Sequence, residues 1–130
     1  MKLMNREKIL IVEDDPDVSG ALKVRLASAG YRPEVVEQGE AVINLATLNP
    51  PDLVILDLKL PDMNGYEVCR LLRKQFQSWE LPVLMLTGAD DAKSKWNGFA
   101  TGADAYLTKP YRPAELLKTI RALLGQESGS

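Results

Sequence analysis

Short apolar runs rich in Val, Ile and Leu alternate along the chain with longer stretches whose apolar residues recur at helical spacing. Strands buried on both faces read as continuous apolar runs, so this alternation predicts parallel strands covered by helices on either side. The runs place strands over Lys8 to Glu13, Arg32 to Val36, Asp52 to Asp57, Leu81 to Leu86 and Asp104 to Leu107. Between them, Val18, Ala21, Leu22, Leu26 and Ala29 fall on one face of a first helix, and Ala41, Leu45 and Leu48 on a second. Cys69, Leu72 and Phe76 mark a third helix, and Ala92, Trp96, Phe99 and Ala100 a fourth. Leu116, Leu117, Ile120, Leu123 and Leu124 mark a fifth. The predicted class is α/β, a doubly wound (βα)5 sandwich. Pro33 cannot donate a ladder hydrogen bond, which puts the second strand at a sheet edge. Asp15-Pro16 reads as an N-cap followed by the first helical position, and Arg112-Pro113 opens the last helix in the same way.

Composition narrows the chemistry. A chain of 130 residues with 45% apolar and 26% charged residues suits one globular domain. The single cysteine, Cys69, excludes an intramolecular disulfide and, lying on an apolar stripe, belongs to the core. No secretory segment and no apolar run of about 18 residues is present, so a cytoplasmic protein without membrane contact is expected. A net charge of −2 without a long basic block argues against direct nucleic-acid binding by this segment. The absence of histidine removes His-based zinc sites, Ser-His and Cys-His pairs, and a phosphohistidine carrier. No internal repeat is visible. The chain divides into an extension over 1–7, one domain over 8–124, and a polar stretch over 125–130, QESGS at its end, that is either a tail or the start of a linker.

In a doubly wound sheet, ligands collect at the carboxyl ends of the strands. The first strand ends in Glu13-Asp14-Asp15, the third in Asp57, the fourth in Thr87-Gly88 and the fifth in Thr108-Lys109-Pro110. Clustered carboxylates repel by about 4 kcal/mol for a pair at roughly 4 Å in an effective dielectric near 20, and so call for a cation. Oxygen-only donors in an open site suit Mg²⁺. With the ion present, Asp57 can act as a nucleophile toward a phosphoryl group, Lys109 can supply a point charge and Thr87 a hydroxyl, and the turn after Asp57 brings a backbone carbonyl near the ion. Taken singly, Asp15 is a helix N-cap, Glu13 and Asp14 are solvated acids, Thr87 is a β-branched strand end and Lys109 is a surface lysine. Their joint placement at four strand ends carries the functional reading.

The stretches ILIVEDDP, DLVILDLKLPDMNGYEV, PVLMLTG and GADAYLTKPY together resemble the receiver (CheY-like) domain of two-component response regulators, over about Lys8 to Leu124. The resemblance implies a flavodoxin-like five-stranded parallel sheet in order 2-1-3-4-5. It implies Glu13 and Asp14 as the acidic pair, with Asp14, Asp57 and the Lys59 carbonyl as Mg²⁺ ligands and Asp57 as phosphoacceptor. Thr87 and Tyr106 would be a switch pair, and Lys109, before a cis Lys109-Pro110 peptide, the phosphate-sensing lysine. The phosphoryl donor would be a phosphohistidine on a sensor histidine kinase or histidine phosphotransfer protein. The chain would then be a signalling switch, not an enzyme beyond its own phosphorylation and dephosphorylation.

The output face implied by the resemblance comprises the fourth helix, fifth strand and fifth helix, with Lys95, Trp96, Tyr106, Tyr111 and Glu115, and would bind a downstream effector or a second copy of the chain on phosphorylation. Lys95 and Glu115 fit the family's dimer pattern, whereas Ala105 and Thr119 depart from it. Trp96 reads either as core or as a partner contact. Lys59 and Ala89 occupy positions that tune phosphoryl loss in the family, and Ala89 offers nothing to orient water, so a long-lived phosphoprotein is expected. A haloacid-dehalogenase-like phosphatase would want an acid where Lys59 stands. A flavodoxin-like FMN carrier would want an uncharged phosphate loop where Glu13-Asp14-Asp15 stands. The remaining alternative is an unphosphorylated pseudo-receiver that acts only through protein contacts.

Overall fold

A computed structural model describes residues 7–88 and 102–126. Five parallel strands form one sheet in the order β2-β1-β3-β4-β5: β1 (Lys8–Val12), β2 (Arg32–Val36), β3 (Leu53–Asp57), β4 (Val83–Thr87) and β5 (Ala105–Thr108). The described helices are α1 (Pro16–Ser28), α2 (Gly39–Leu48), α3 (Gly65–Arg73) and α4 (Pro113–Leu123). The helix predicted around Ala92 to Ala100 lies outside the described residues, as do Ala89, Lys95 and Trp96. Helix α4 is therefore the fifth helix of the sequence reading.

Side-chain alternation along the strands divides the core in two. Ile9, Ile11, Leu53, Ile55, Leu84, Leu86 and Leu107 face the layer of α1 and α4, where Leu22, Leu26, Leu116 and Ile120 are buried. Leu10, Val12, Val54, Leu56, Val83 and Met85 face α2 and α3, with Val42, Ala46, Val68, Cys69 and Leu72. Strands β3 and β4 are buried at every position, as their apolar runs require, and β2 is at least partly exposed over Arg32 to Val35 and buried at Val36, as suits an edge strand. The Arg32 amide donates inward to the Glu7 carbonyl (2.9 Å), so the nitrogen of Pro33 faces outward and no ladder bond is lost.

Local signals behave as their chemistry dictates. The Asp15 carboxylate accepts from the Asp17 amide (2.9 Å) and Pro16 opens α1. Pro113 opens α4 after Arg112, which contributes no side-chain cap. The Lys109-Pro110 peptide is cis.

Three expectations change. The fourth and fifth strands start later than predicted, at Val83 and Ala105, because Arg73 takes the Leu81 carbonyl (2.7 Å) and the Asp104 carboxylate takes the Val83 amide (2.7 Å). The buried stripe of α2 is also shifted by one residue, to Val42 and Ala46, and Leu48 is 82% exposed. The close approach of Gly39 to α3 sets that rotation: a Cβ there would lie 2.6 Å from Val68 Cγ2. In α1, Ala21 is exposed and the buried positions are Ser19, Leu22 and Leu26.

Candidate phosphoacceptor and metal site

Glu13 and Asp57 follow Ile11 and Ile55 in strand alternation, so both acids emerge on the side of the sheet covered by α1 and α4. With Asp14 they form a cluster in which one carboxylate oxygen from each lies within 4.8 Å of the others. Glu13 is 3% and Asp57 8% exposed, while Asp14 is open to solvent. The Lys109 ammonium lies 3.0 Å from Asp57 Oδ1 and 3.8 Å from Glu13 Oε1. Lys109 is held there by its own amide, which donates to the Thr87 carbonyl (2.7 Å) at the end of β4.

The electrostatics follow from burial and crowding. Burial pushes the Glu13 carboxyl up, and the charges of Asp57 and Asp14 add to that; the Asp15 amide and Lys109 pull against it without cancelling it. For Lys109, burial pulls the ammonium down, but the Asp57 hydrogen bond and the charges of Asp57 and Glu13 outweigh it, and the net shift is upward. One ammonium thus serves two of three acids.

This donor set fits a hard divalent cation. Glu13 Oε1 is buried without a hydrogen-bond partner among the described residues, and the Lys109 ammonium at 3.8 Å is beyond hydrogen-bond reach, so a cation bound closer would answer it better. Oxygen donors alone, with Asp14 open to water, match the open coordination that Mg²⁺ favours. Lys59 sits in the turn after Asp57 and pairs with Asn64 across an isolated bridge. Gly65 closes that turn, its amide donating to the Leu58 carbonyl (2.7 Å); a Cβ at Gly65 would come within 2.5 Å of the Asp57 carbonyl oxygen.

Thr87 is fully buried, and its hydroxyl has no hydrogen-bond partner among the described residues. It shares parity on β4 with Val83 and Met85, and Tyr106 on neighbouring β5 packs against the same cluster, so the two stand on one face of the sheet. Burial, then the adjacent Tyr66 phenol, hold the Tyr106 hydroxyl well above the usual phenol range. Tyr111 packs on the opposite side, in the cluster beneath α1 and α4, with Lys109, Glu13 and Arg25 near its hydroxyl. Glu115 is exposed in the first turn of α4. Asp62, Tyr66 and Arg73 carry contacts that sequence reading did not single out. The cue available for Asp62 was a weak one, a Gln38-Gly39 helix start lacking a good N-cap of its own.

Residues 9–121 match the response regulator receiver domain family, and the chain belongs to that family. The DNA-binding dual master transcriptional regulator RpaA of Synechocystis sp. is 43% identical over 117 residues, covering 90% of this chain and 48% of RpaA. The DNA-binding response regulator MtrA of Mycolicibacterium smegmatis is 40% identical over 119 residues, covering 92% of this chain and 51% of MtrA. The chain thus spans about half the length of the curated relatives it matches. Among solved structures, the BeF3-activated N-terminal receiver domain of Klebsiella pneumoniae RstA superposes with a TM-score of 0.85 at 34% identity, covering 92% of this chain and 99% of that one. The receiver domain of the Pseudomonas aeruginosa sensor histidine kinase PA1611, with a magnesium ion coordinated in its active site cleft, superposes with a TM-score of 0.84 at 30% identity, covering 93% and 99%.

Proposed function

We propose that this receiver is a phosphorylated switch in which Asp57 accepts a phosphoryl group from a phosphohistidine of a sensor histidine kinase or a histidine phosphotransfer protein. The observation that carries the reading is Asp57 standing among Glu13, Asp14 and Lys109 at the carboxyl end of the sheet. An Asp57 carboxylate oxygen forms the new O–P bond as the donor's P–N bond breaks, and the departing electron pair stays on the imidazole nitrogen, which takes a proton. Mg²⁺, when bound by Asp14, Asp57 and the Lys59 carbonyl beside Glu13, supplies charge neutralisation on the phosphoryl oxygens. Lys109 contributes a fixed positive charge to the same oxygens, and the buried Thr87 hydroxyl, which has no partner among the described residues, gains one.

That gain is the switch. Thr87 turning toward a phosphoryl group vacates space on the face it shares with Tyr106, and the Tyr106 ring responds. The change is read by a downstream effector or a second copy of the chain; the names of RpaA and MtrA favour transcriptional control as the output. No described helix is long and apolar enough to cross a membrane, which is compatible with a cytoplasmic relay. An interaction-only pseudo-receiver would have no use for acceptor, acids and lysine held in contact. Incubation with Mg²⁺ and acetyl phosphate should add one phosphoryl group to the intact mass, and neither Asp57→Asn nor metal-free protein should gain it. Labelling that survives Asp57→Asn would overturn the assignment.

A further inference from the structure

We propose that Asp62 is a positioning residue for this site, tying the tip of the loop that follows Asp57 to the N terminus of α2. The inference rests on the phosphoacceptor reading above. The loop is closed at its base by the Gly65 amide on the Leu58 carbonyl (2.7 Å) and by the Lys59–Asn64 bridge. Its tip, residues 60–63, is anchored elsewhere: Asp62 Oδ1 accepts from the Gly39 amide (2.8 Å) and Oδ2 from the Glu40 amide (3.0 Å).

Those amides are among the first of α2, which no intrahelical carbonyl can satisfy. Gln38, at the N-cap position, makes no side-chain cap bond, so a carboxylate from another part of the chain caps the helix. The helix end and the loop also pack closely. A Cβ at Gly39 would lie 2.7 Å from Met63 Cγ and 2.6 Å from Val68 Cγ2, so glycine lets α2 approach near enough for both bonds to form. The Glu40 amide foremost, then the Gly39 amide, hold the Asp62 carboxyl below the usual carboxylate range, although it is exposed. Without the carboxylate tie the tip keeps the non-directional packing of Leu60 and Met63 against the core, and the hydrogen bonds described for the loop are those at its base. That base contains Lys59, two residues from the acceptor, and the displacement is felt at the Lys59 carbonyl and the Asp57 backbone.

A helix cap alone would also stabilise α2, so the test separates the two roles. Asp62→Ala removes the tie. The double variant Gln38→Ser/Asp62→Ala restores a local cap to α2 without restoring the tie. Amide chemical shifts of Asp57 and Gly65 are followed during MgCl₂ titration, alongside the initial rate of labelling by acetyl phosphate and the thermal midpoint. Loss of a bond that orients a metal ligand directly costs roughly tenfold or more in affinity. Asp62 acts one step further out, and Asp62→Ala should weaken Mg²⁺ binding and slow labelling on the order of threefold. The Gln38→Ser addition should recover the thermal midpoint and leave both defects in place. Recovery of Mg²⁺ affinity in the double variant, or wild-type values in Asp62→Ala, would show a cap and nothing more. A wild-type protein that neither shifts with Mg²⁺ nor labels would instead overturn the phosphoacceptor reading, and this inference with it.

Discussion

The Lys109 ammonium stands 3.0 Å from Asp57 Oδ1 and 3.8 Å from Glu13 Oε1, so a single cation balances two of the three acids. A divalent ion entering the cluster meets that positive charge as a competitor. Lys109→Met keeps the apolar stem and removes the ammonium. The metal-free protein should lose on the order of 1 kcal/mol, a figure kept small because the lysine side chain is 33% exposed. Mg²⁺ affinity should rise severalfold while labelling by acetyl phosphate slows. Urea melts with and without MgCl₂, read beside a calorimetric Mg²⁺ titration, check both signs; unchanged affinity would mean that the lysine and the ion do not sense each other.

Gly65 permits the acceptor's backbone to pass at close range. Gly65→Ala would press a methyl group to within 2.5 Å of the Asp57 carbonyl oxygen and 2.9 Å of Leu58 Cα, and backbone on both sides gives way less readily than a side chain. Overpacking of this kind costs about 1–3 kcal/mol. The expected signature is a lower urea midpoint together with labelling reduced more than about tenfold, since small misplacements of a reacting group are expensive. Normal labelling in a destabilised variant would show that the loop moves without carrying Asp57 along.

Arg73 joins three parts of the chain that sequence distance separates. Its Nε donates to the Gly102 carbonyl (2.9 Å), its Nη1 to the Leu81 carbonyl (2.7 Å), and its Nη2 pairs with the Asp104 carboxylate. Both side chains are largely buried, so Arg73→Met would take the counter-charge from the Asp104 carboxylate, which keeps the Val83 amide, and the donor from the Gly102, Phe76 and Leu81 carbonyls, a loss of roughly 3–5 kcal/mol. Arg73→Lys should recover little, because one ammonium cannot reach three directions at once. Chemical denaturation of both variants is the check, and a lysine variant near wild type would contradict the three-way geometry.

Alkaline pH offers a further test, on Tyr31. Its hydroxyl donates to Gln126 Oε1 (2.8 Å), whose amide nitrogen donates to Glu7 Oε2 (2.7 Å). Burial foremost, then the Glu7 charge, raise the phenol above its ordinary value, with Arg121 opposing. A raised acid keeps its proton longer in the folded state than in the unfolded one. Its contribution to stability is therefore complete below about pH 10 and is lost as pH climbs through the folded value. Stability of the wild type should fall between pH 9 and 11 more steeply than that of Tyr31→Phe. At pH 8 the variant should be weaker by about 1 kcal/mol for the missing hydrogen bond. Parallel slopes would remove Tyr31 from the alkaline transition.

The residues legible in the sequence were those whose position follows from a strand end. Once the run Leu53 to Leu56 is read as a buried strand, Asp57 can only emerge at its mouth, and the same logic delivers Glu13, Thr87 and Lys109. The rotation of α2 was not legible, because it depends on how closely Gly39 approaches Val68, a contact across 29 positions that no local periodicity encodes. Asp62 and Arg73 were missed for a related reason. Apart from the Asp104 carboxylate on Arg73, their partners are backbone amides and carbonyls, which every residue possesses and which therefore leave no mark in the sequence.

The outward-facing nitrogen of Pro33 has a consequence away from the signalling site. Edge strands offer unpaired donors to any extended chain that drifts past, and stacked edges are where ordered aggregates begin. Along β2 that offer is withdrawn at Pro33, and the flanking Arg32 and Glu34 set opposite charges on either side of it. A strand arriving at that edge meets a missing donor between two charged side chains, so pairing is weakened where β2 would otherwise extend the sheet.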